Sequence, residues 1–471
     1  MLFNTIDFAI FLPVVVLIYY LIPHKLRWML LLGASYYFYM SWKVEYILLI
    51  VTSTLVDYIS GIRMARLPDR KSRLPWLILS LCVNLGLLFF FKYYNFATEN
   101  LNLLFQKVGL ASDLPMMQLL LPVGISFYTF QTLSYSIDVY FGRQKAERHL
   151  GYFALYVSFF PQLVAGPIER YSRLAPQFRI RQGLSYDNVA NGLRLILYGL
   201  FIKMVIADNI SGFVDQVYAH PEHFGSGNIL KGIFLYSFQI YSDFFGYSTI
   251  AIGSALLLGI RIMDNFKTPY LAKNISEFWQ RWHISLSTWF RDYLYFPLGG
   301  NRVSRQRWVL NILVVFLISG LWHGANWTFL IWGLLFGLIF ISERFLNASL
   351  NLKPTHAAFS AGHIFLAIKT FLLVTILWVF FRSQSFDAAI NIFKLLFQNA
   401  PSDPQALMIP ISTWIFLLLF IISDLFLYNR RFDGWVAGMP CFLRWAVYAV
   451  LLFGIIAFAG VENFPFIYFQ F

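Results

Sequence analysis

The run Leu321-Trp322-His323-Gly324-Ala325-Asn326-Trp327 lies inside residues 309–341, a stretch without one Asp, Glu, Lys or Arg. As a single helix that stretch would be about 50 Å long, against a hydrocarbon core of about 30 Å. Gly320 and Gly324 supply a break, so the stretch reads as a helical hairpin with His323 near its apex. A titratable group at membrane depth is costly and ordinarily faces a cavity or a partner. His323 is therefore the first residue at which to look for chemistry. The plainer alternative is a buried histidine that ties helices together by hydrogen bonds.

The rest of the chain has the same character. It is 59% hydrophobic and 13% charged, with mean hydropathy +0.63, values that belong to a polytopic membrane protein rather than a soluble core. Apolar runs occur at 5–22, 28–42, 44–60, 75–97, 117–140, 189–207, 231–260, 363–381, 408–428 and 441–460. With the hairpin they predict an all-α fold of about 11–12 transmembrane helices. The N-terminus lacks a basic leader and carries Asp7, so 5–22 reads as a retained span. Cys82 and Cys441 lie in or beside apolar runs, and their number supports neither a disulfide framework nor a metal cluster.

Net charge is +13, yet the basic residues sit in short loops between apolar runs. Membrane topology explains that better than nucleic-acid binding does. Arg63, Arg66, Arg70, Lys71 and Arg73 mark 61–74 as cytoplasmic, and Arg143, Lys145 and Arg148 do so for 141–149. The polar interval 261–308 joins them. Residues 208–230 hold Asp208, Asp215 and Glu222 and fall outside with 98–116, as do the N-terminus and the C-terminal tail. Segment 150–168 has basic clusters on both sides, and Pro161, Gly166 and Pro167 break it. It reads as re-entrant, which a bilayer tolerates when the backbone is buried in protein.

His323 can accept a proton near neutral pH and so deprotonate a hydroxyl that attacks an acyl donor. A second histidine, His283, sits in Glu277-Phe278-Trp279-Gln280-Arg281-Trp282-His283-Ile284-Ser285-Leu286-Ser287, which reads as an amphipathic helix. Glu277 and Arg281 can pair at four-residue spacing, and Trp279, His283 and Ser287 share a face. By spacing alone an interfacial helix with aromatic anchors is an equal reading. Downstream, Gly299-Gly300 and the cations Arg302, Arg305 and Arg307 could hold the phosphates of a cytosolic cofactor, although positive-inside bias accounts for them as well. Asp243 lies well inside the run 231–260 and reads as a structural hydrogen-bonding residue of the bundle. His220, His223, His356 and His363 read as solvated.

The blocks 265–300 and 321–333, with Pro122-Val123-Gly124-Ile125-Ser126-Phe127-Tyr128-Thr129-Phe130-Gln131 and Phe160-Pro161-Gln162-Leu163-Val164-Ala165-Gly166-Pro167-Ile168, resemble the membrane-bound O-acyltransferase (MBOAT) family. The likeness is to its bacterial branch that O-acetylates exported polysaccharides such as alginate, cellulose or peptidoglycan. Phe245 departs from the pattern, where a small polar residue is expected. The resemblance implies one integral-membrane domain over 1–471 around a central tunnel in the bacterial inner membrane. It implies acetyl-CoA as cytosolic donor, no metal, His323 as catalytic histidine and His283 as its companion, with Trp322, Asn326 and Asp243 in support. It further implies an exported polysaccharide acceptor, membrane lipid around the bundle, and a periplasmic SGNH-type acetyltransferase or esterase as partner. The tail Phe464-Pro465-Phe466-Ile467-Tyr468-Phe469-Gln470-Phe471 is similar to a terminal aromatic motif of that branch. Within 461–471, exposed outside, Tyr468 is the candidate acyl relay, with an aromatic interfacial anchor as the plain alternative. D-alanyl transfer to teichoic acid, or a transporter or flippase of an acyl or glycan intermediate, are the competing functions.

Overall fold

The structure is a computed structural model that describes all residues except 111–112, 119, 165, 350–358, 399–407, 461–465 and 468–471. Among the described residues it is helical throughout, with no strand. Among the described residues seven helices are long and apolar enough to cross a membrane, and Ile6–Leu21 and Ile411–Phe426 are shorter apolar helices. The chain is thus a multi-pass membrane protein. Two apolar stretches give shorter helices than their length suggests. The run 117–140 becomes a helix only over Ile125–Tyr140, because Gly124 starts it in the left-handed region at φ 76°. Segment 150–168 yields Leu150–Ser158, which ends at Phe159 and is too short to span.

Contacts divide the chain into two compact units, 1–189 with 254–263, and 190–253 with 264–471. The first holds α1 (Ile6–Leu21), α2 (His24–Met40), α3 (Ile47–Arg66), α4 (Arg70–Lys107), α5 (Ile125–Tyr140), α6 (Leu150–Ser158) and α7 (Tyr171–Arg179). Side chains start several of these helices: Thr5 accepts from the Phe8 N–H for α1, and Asp69 from the Ser72 N–H for α4. Inside, the Asp57 carboxylate of α3 accepts from Ser80 and Asn84 of α4 and from Ser136 of α5. A buried carboxylate so satisfied ties three helices in one arrangement. The α6 side chains from Phe153 to Ser158 are buried within this unit, as a re-entrant backbone requires.

The second unit holds both candidate histidines. It contains α8 (Tyr186–Ala219) and α9 (Ser226–Leu257), then α10 (Ile275–Arg281), α11 (Ile284–Phe290), α12 (Arg305–His323) and α13 (Trp327–Ser349). It closes with α14 (Ala361–Arg382), α15 (Phe386–Leu395), α16 (Ile411–Phe426), α17 (Phe432–Ala437) and α18 (Cys441–Phe458). Helix α8 passes through a π-helical segment, Phe201–Ala207, an irregularity frequent at functional sites. The expected hairpin is present: α12 ends at His323 and α13 starts at Trp327. A Cβ on Gly320 would come within 2.2 Å of the Phe329 carbonyl oxygen, and one on Gly333 within 2.3 Å of that of Phe316. Only glycines let these two backbones approach so closely, and that approach sets His323 into the interior.

One histidine departs from its expected setting. His363 is buried, its Nδ1 accepts from the Phe359 N–H, and its Nε2 faces the Leu271 carbonyl. The Ser360 cap turns it into the first turn of α14, where folded backbone satisfies it in place of water. His356 lies outside the described residues, while His220 and His223 are exposed as expected.

Candidate active site

The site is built where two chain breaks meet. His323 is the last residue of α12 and is buried. His283 does not lie on one continuous helix, as the spacing of 277–290 suggested. Helix α10 ends at Arg281, α11 begins at Ile284, and His283 sits between them at φ 43°, ψ 53°. A non-glycine residue in that region costs about 1–3 kcal/mol and persists only where its surroundings impose it. The expected Glu277–Arg281 pair does form, at 2.9 Å. Arg281 also donates to the Lys267 carbonyl, which ties the end of α10 to the strand of chain before it.

Asn265 fixes the His283 ring. Its Oδ1 lies 3.2 Å from His283 Nδ1, 2.8 Å from Ser285 Oγ and 3.3 Å from the Ser285 N–H. A backbone N–H only donates, so the Asn265 atom it meets is the oxygen and not the amide nitrogen. His283 Nδ1 therefore carries the proton, and Nε2 is the basic nitrogen. Burial pushes the His283 imidazole down to about 3, so it stays neutral through the physiological range.

The two imidazoles face each other with ring centroids 6.5 Å apart, beyond direct hydrogen-bond reach. Trp322 stands beside both, at 5.8 Å from His283 and 5.0 Å from His323. Trp332 and Phe381 press edge-on against His323, each at 5.2 Å. Such a buried aromatic shell strengthens electrostatic interactions within it.

A cavity of about 940 Å³ opens in the same unit. Trp279, Ser319 and Leu286 form part of its wall, and Trp279 meets Trp332, the ring that backs His323, at 5.8 Å. Lys273, Arg291, Arg344 and Lys369 line it together with Glu277 and Glu343, so its polar wall carries more positive than negative groups. Arg302, Arg305 and Arg307 are not part of that wall, and Arg305 instead packs over Phe345 at 4.0 Å. The four cations come from sequence-distant places, so no run of basic residues could have revealed them. Asn265 was equally hidden: it stands eighteen residues before His283, at no motif spacing.

The remaining candidates fall in distinct places. Trp322 is part of the histidine shell. Asn326 instead caps α13, accepting from the Thr328 N–H and donating to the Gln384 carbonyl. Asp243 is buried on α9 and pairs with Lys203 at 2.7 Å. Phe245, the departure from the family pattern, stacks on Tyr241. Of the tail, Tyr468 lies outside the described residues. Phe466 and Ile467 are buried in the second unit, not exposed as expected, because the Phe466 ring fits against Phe244 and Tyr247.

The chain is thus a many-helix membrane protein with a buried histidine pair beside a cation-lined cavity. The chain belongs to the MBOAT, membrane-bound O-acyltransferase family, whose profile matches residues 144–386. It is an acyltransferase. It is 40% identical to the probable alginate O-acetylase AlgI of Azotobacter vinelandii, over 82% of this chain and 76% of that protein. It is 38% identical to the peptidoglycan O-acetyltransferase of Helicobacter pylori, over 84% of this chain and 79% of that one. A more distant likeness, 30% identity over 47% of this chain, is to the teichoic acid D-alanyltransferase of Bacillus subtilis, of which 59% is covered.

Proposed function

We infer that the protein moves an acetyl group from cytosolic acetyl-CoA to an extracytoplasmic hydroxyl, for O-acetylation of an exported or cell-wall polysaccharide at the bacterial inner membrane. The observation that carries this reading is the buried His283–His323 pair, whose Trp332 neighbour packs on Trp279 of the cation-lined cavity wall. Cations at the cavity wall suit the phosphates of a coenzyme A donor. His323 takes the proton of the attacking hydroxyl as the new C–O bond forms. The thioester C–S bond breaks, and the proton passes to the departing thiolate.

His283 has a narrower role than polarising the thioester carbonyl. With its proton held by Asn265, it offers Nε2 as an acceptor. It orients the reacting hydroxyl, or the group that carries it, toward His323. The first acceptor is Tyr468, which holds the acetyl group as a phenolic ester and yields it to a periplasmic SGNH-type transferase. The N- and C-termini lie on that side. Supporting this, Phe466 packs on Phe244, whose ring is 4.7 Å from His283. D-alanyl transfer is the second reading, favoured by the B. subtilis likeness but by less sequence than the acetyl-transfer relatives.

Purified protein in liposomes, supplied with acetyl-labelled acetyl-CoA on the donor side, tests the reading. Label should appear on Tyr468 in peptide mass spectra, and a D-alanyl donor should give none. No acetyl turnover, with turnover of the D-alanyl donor, would replace the first reading by the second.

A further inference from the structure

Lys203, Asp208 and Asp243 form a buried cluster that neither the acyl transfer nor the cavity uses. Their side chains are 1%, 7% and 4% exposed. Lys203 Nζ lies 2.6 Å from Asp208 Oδ1 and 2.7 Å from Asp243 Oδ1. Two carboxylates thus share one ammonium. The carboxyl oxygens that the ammonium does not reach call for further donors in a buried setting. The donor supplied to Asp243 Oδ2 is the backbone N–H of Ile467, at 2.6 Å, from 224 residues along the chain.

The surroundings hold this contact in place. Lys203 belongs to the π-helical segment of α8, and a Cβ on Gly246 would lie 3.0 Å from its backbone nitrogen. Helices α8 and α9 therefore meet closely beside the cluster. One residue before Ile467, Phe466 is fully buried between Phe244 and Tyr247, with ring centroids 5.4 and 4.9 Å away. Phe244 meets His283 edge-on. The cluster recognises a main-chain N–H, so it sets the register of the chain end and not the identity of a side chain.

We propose that Asp243, held by Lys203 and Asp208, is a positioning residue that latches the C-terminal chain end at Ile467, next to the Phe244 ring that meets His283, in support of the relay. This deepens the relay reading and rests on it for the consequence to activity, while the latch itself has its own readout.

The test uses the full-length protein in membranes, with Cys82 and Cys441 replaced by serine and Gln470→Cys as a tail reporter. Ile467→Pro removes the donating N–H, and Ile467→Val keeps it. Maleimide labelling of Gln470→Cys should quicken about tenfold or more over the parent with Ile467→Pro or Asp243→Asn, and hold the parent rate with Ile467→Val. Acetyl transfer should fall in both variants, and the double variant should be no worse than the poorer single one. Unchanged labelling in both variants, or losses that multiply in the double variant, overturns the latch. If instead Tyr468→Phe retains full transfer while labelling responds as expected, the relay fails and the latch stands.

Discussion

His283 Nδ1 and Asn265 Oδ1 lie 3.2 Å apart, and this contact decides which nitrogen of the buried imidazole carries the proton. The Ser285 N–H fixes Asn265 as acceptor, so the histidine must donate. A chain folded in a left-handed turn at His283 is what brings the three groups together.

Asn265→Ala removes that acceptor and lets the His283 ring rotate and change tautomer. Acetyl transfer should fall by roughly tenfold to a hundredfold, within the range that positioned acid–base groups contribute. Initial rates on purified protein check it. Asn265→Asp should lose less, because the carboxylate still accepts from His283 and Ser285.

Burial pushes the His283 imidazole down to about 3 from its ordinary value of 6.5. The unfolded state therefore binds the proton first as the solution is acidified. Stability from this group is full above about pH 6.5 and declines toward pH 3, by about 1.4 kcal/mol per pH unit. Thermal melts in detergent across that window measure the slope. His283→Gln should flatten it.

Arg344 lines the cavity and is exposed, so its charge can be reversed without opening the core. Arg344→Glu should raise the KM for the acyl donor severalfold and leave kcat nearly unchanged, with the difference shrinking at high salt. Steady-state kinetics at two ionic strengths decide this. A fall in kcat alone would show that this wall does not face the donor.

Gly333→Ala puts a methyl group against the Phe316 carbonyl, where 2.3 Å is available. Helices α12 and α13 must part, at a cost of about 1–3 kcal/mol. The melting temperature should fall, and so should transfer, because His323 rides on the end of α12. Gly33→Ala is the control: nothing lies within 4 Å of a Cβ there, and the melting temperature should hold.

Much of this architecture was legible in the chain because lipid demands long apolar runs and loops that carry the basic residues. The hairpin at 309–341 followed from length against bilayer thickness; its break falls at Gly324 as expected, but α12 continues through Gly320, which serves the close approach to Phe329 instead. The interruption of 150–168 as a short buried helix ending at Phe159 followed from its prolines and glycine. Spacing failed at 277–290: helical periodicity continues through His283 in the sequence, but the tertiary pull of Asn265 and Ser285 breaks the helix there. It failed again for Lys203 and for the cavity cations, because ion pairs between distant helices leave no periodic trace. The burial of Phe466 and Ile467 was hidden for the same reason, since their partners lie on α9, more than two hundred residues earlier.

His323 is the centre of the account, and one measurement bears on it most directly. Transfer from labelled acetyl-CoA should be followed in matched membranes carrying wild-type protein, His323→Ala or His323→Gln, with protein amount and melting temperature recorded for each. The account predicts that both variants accumulate and melt near the wild type, yet lose transfer by a factor of about 10² to 10⁴, the contribution of a positioned general base. Transfer within a few fold of wild type in a well-folded His323→Gln protein would contradict it.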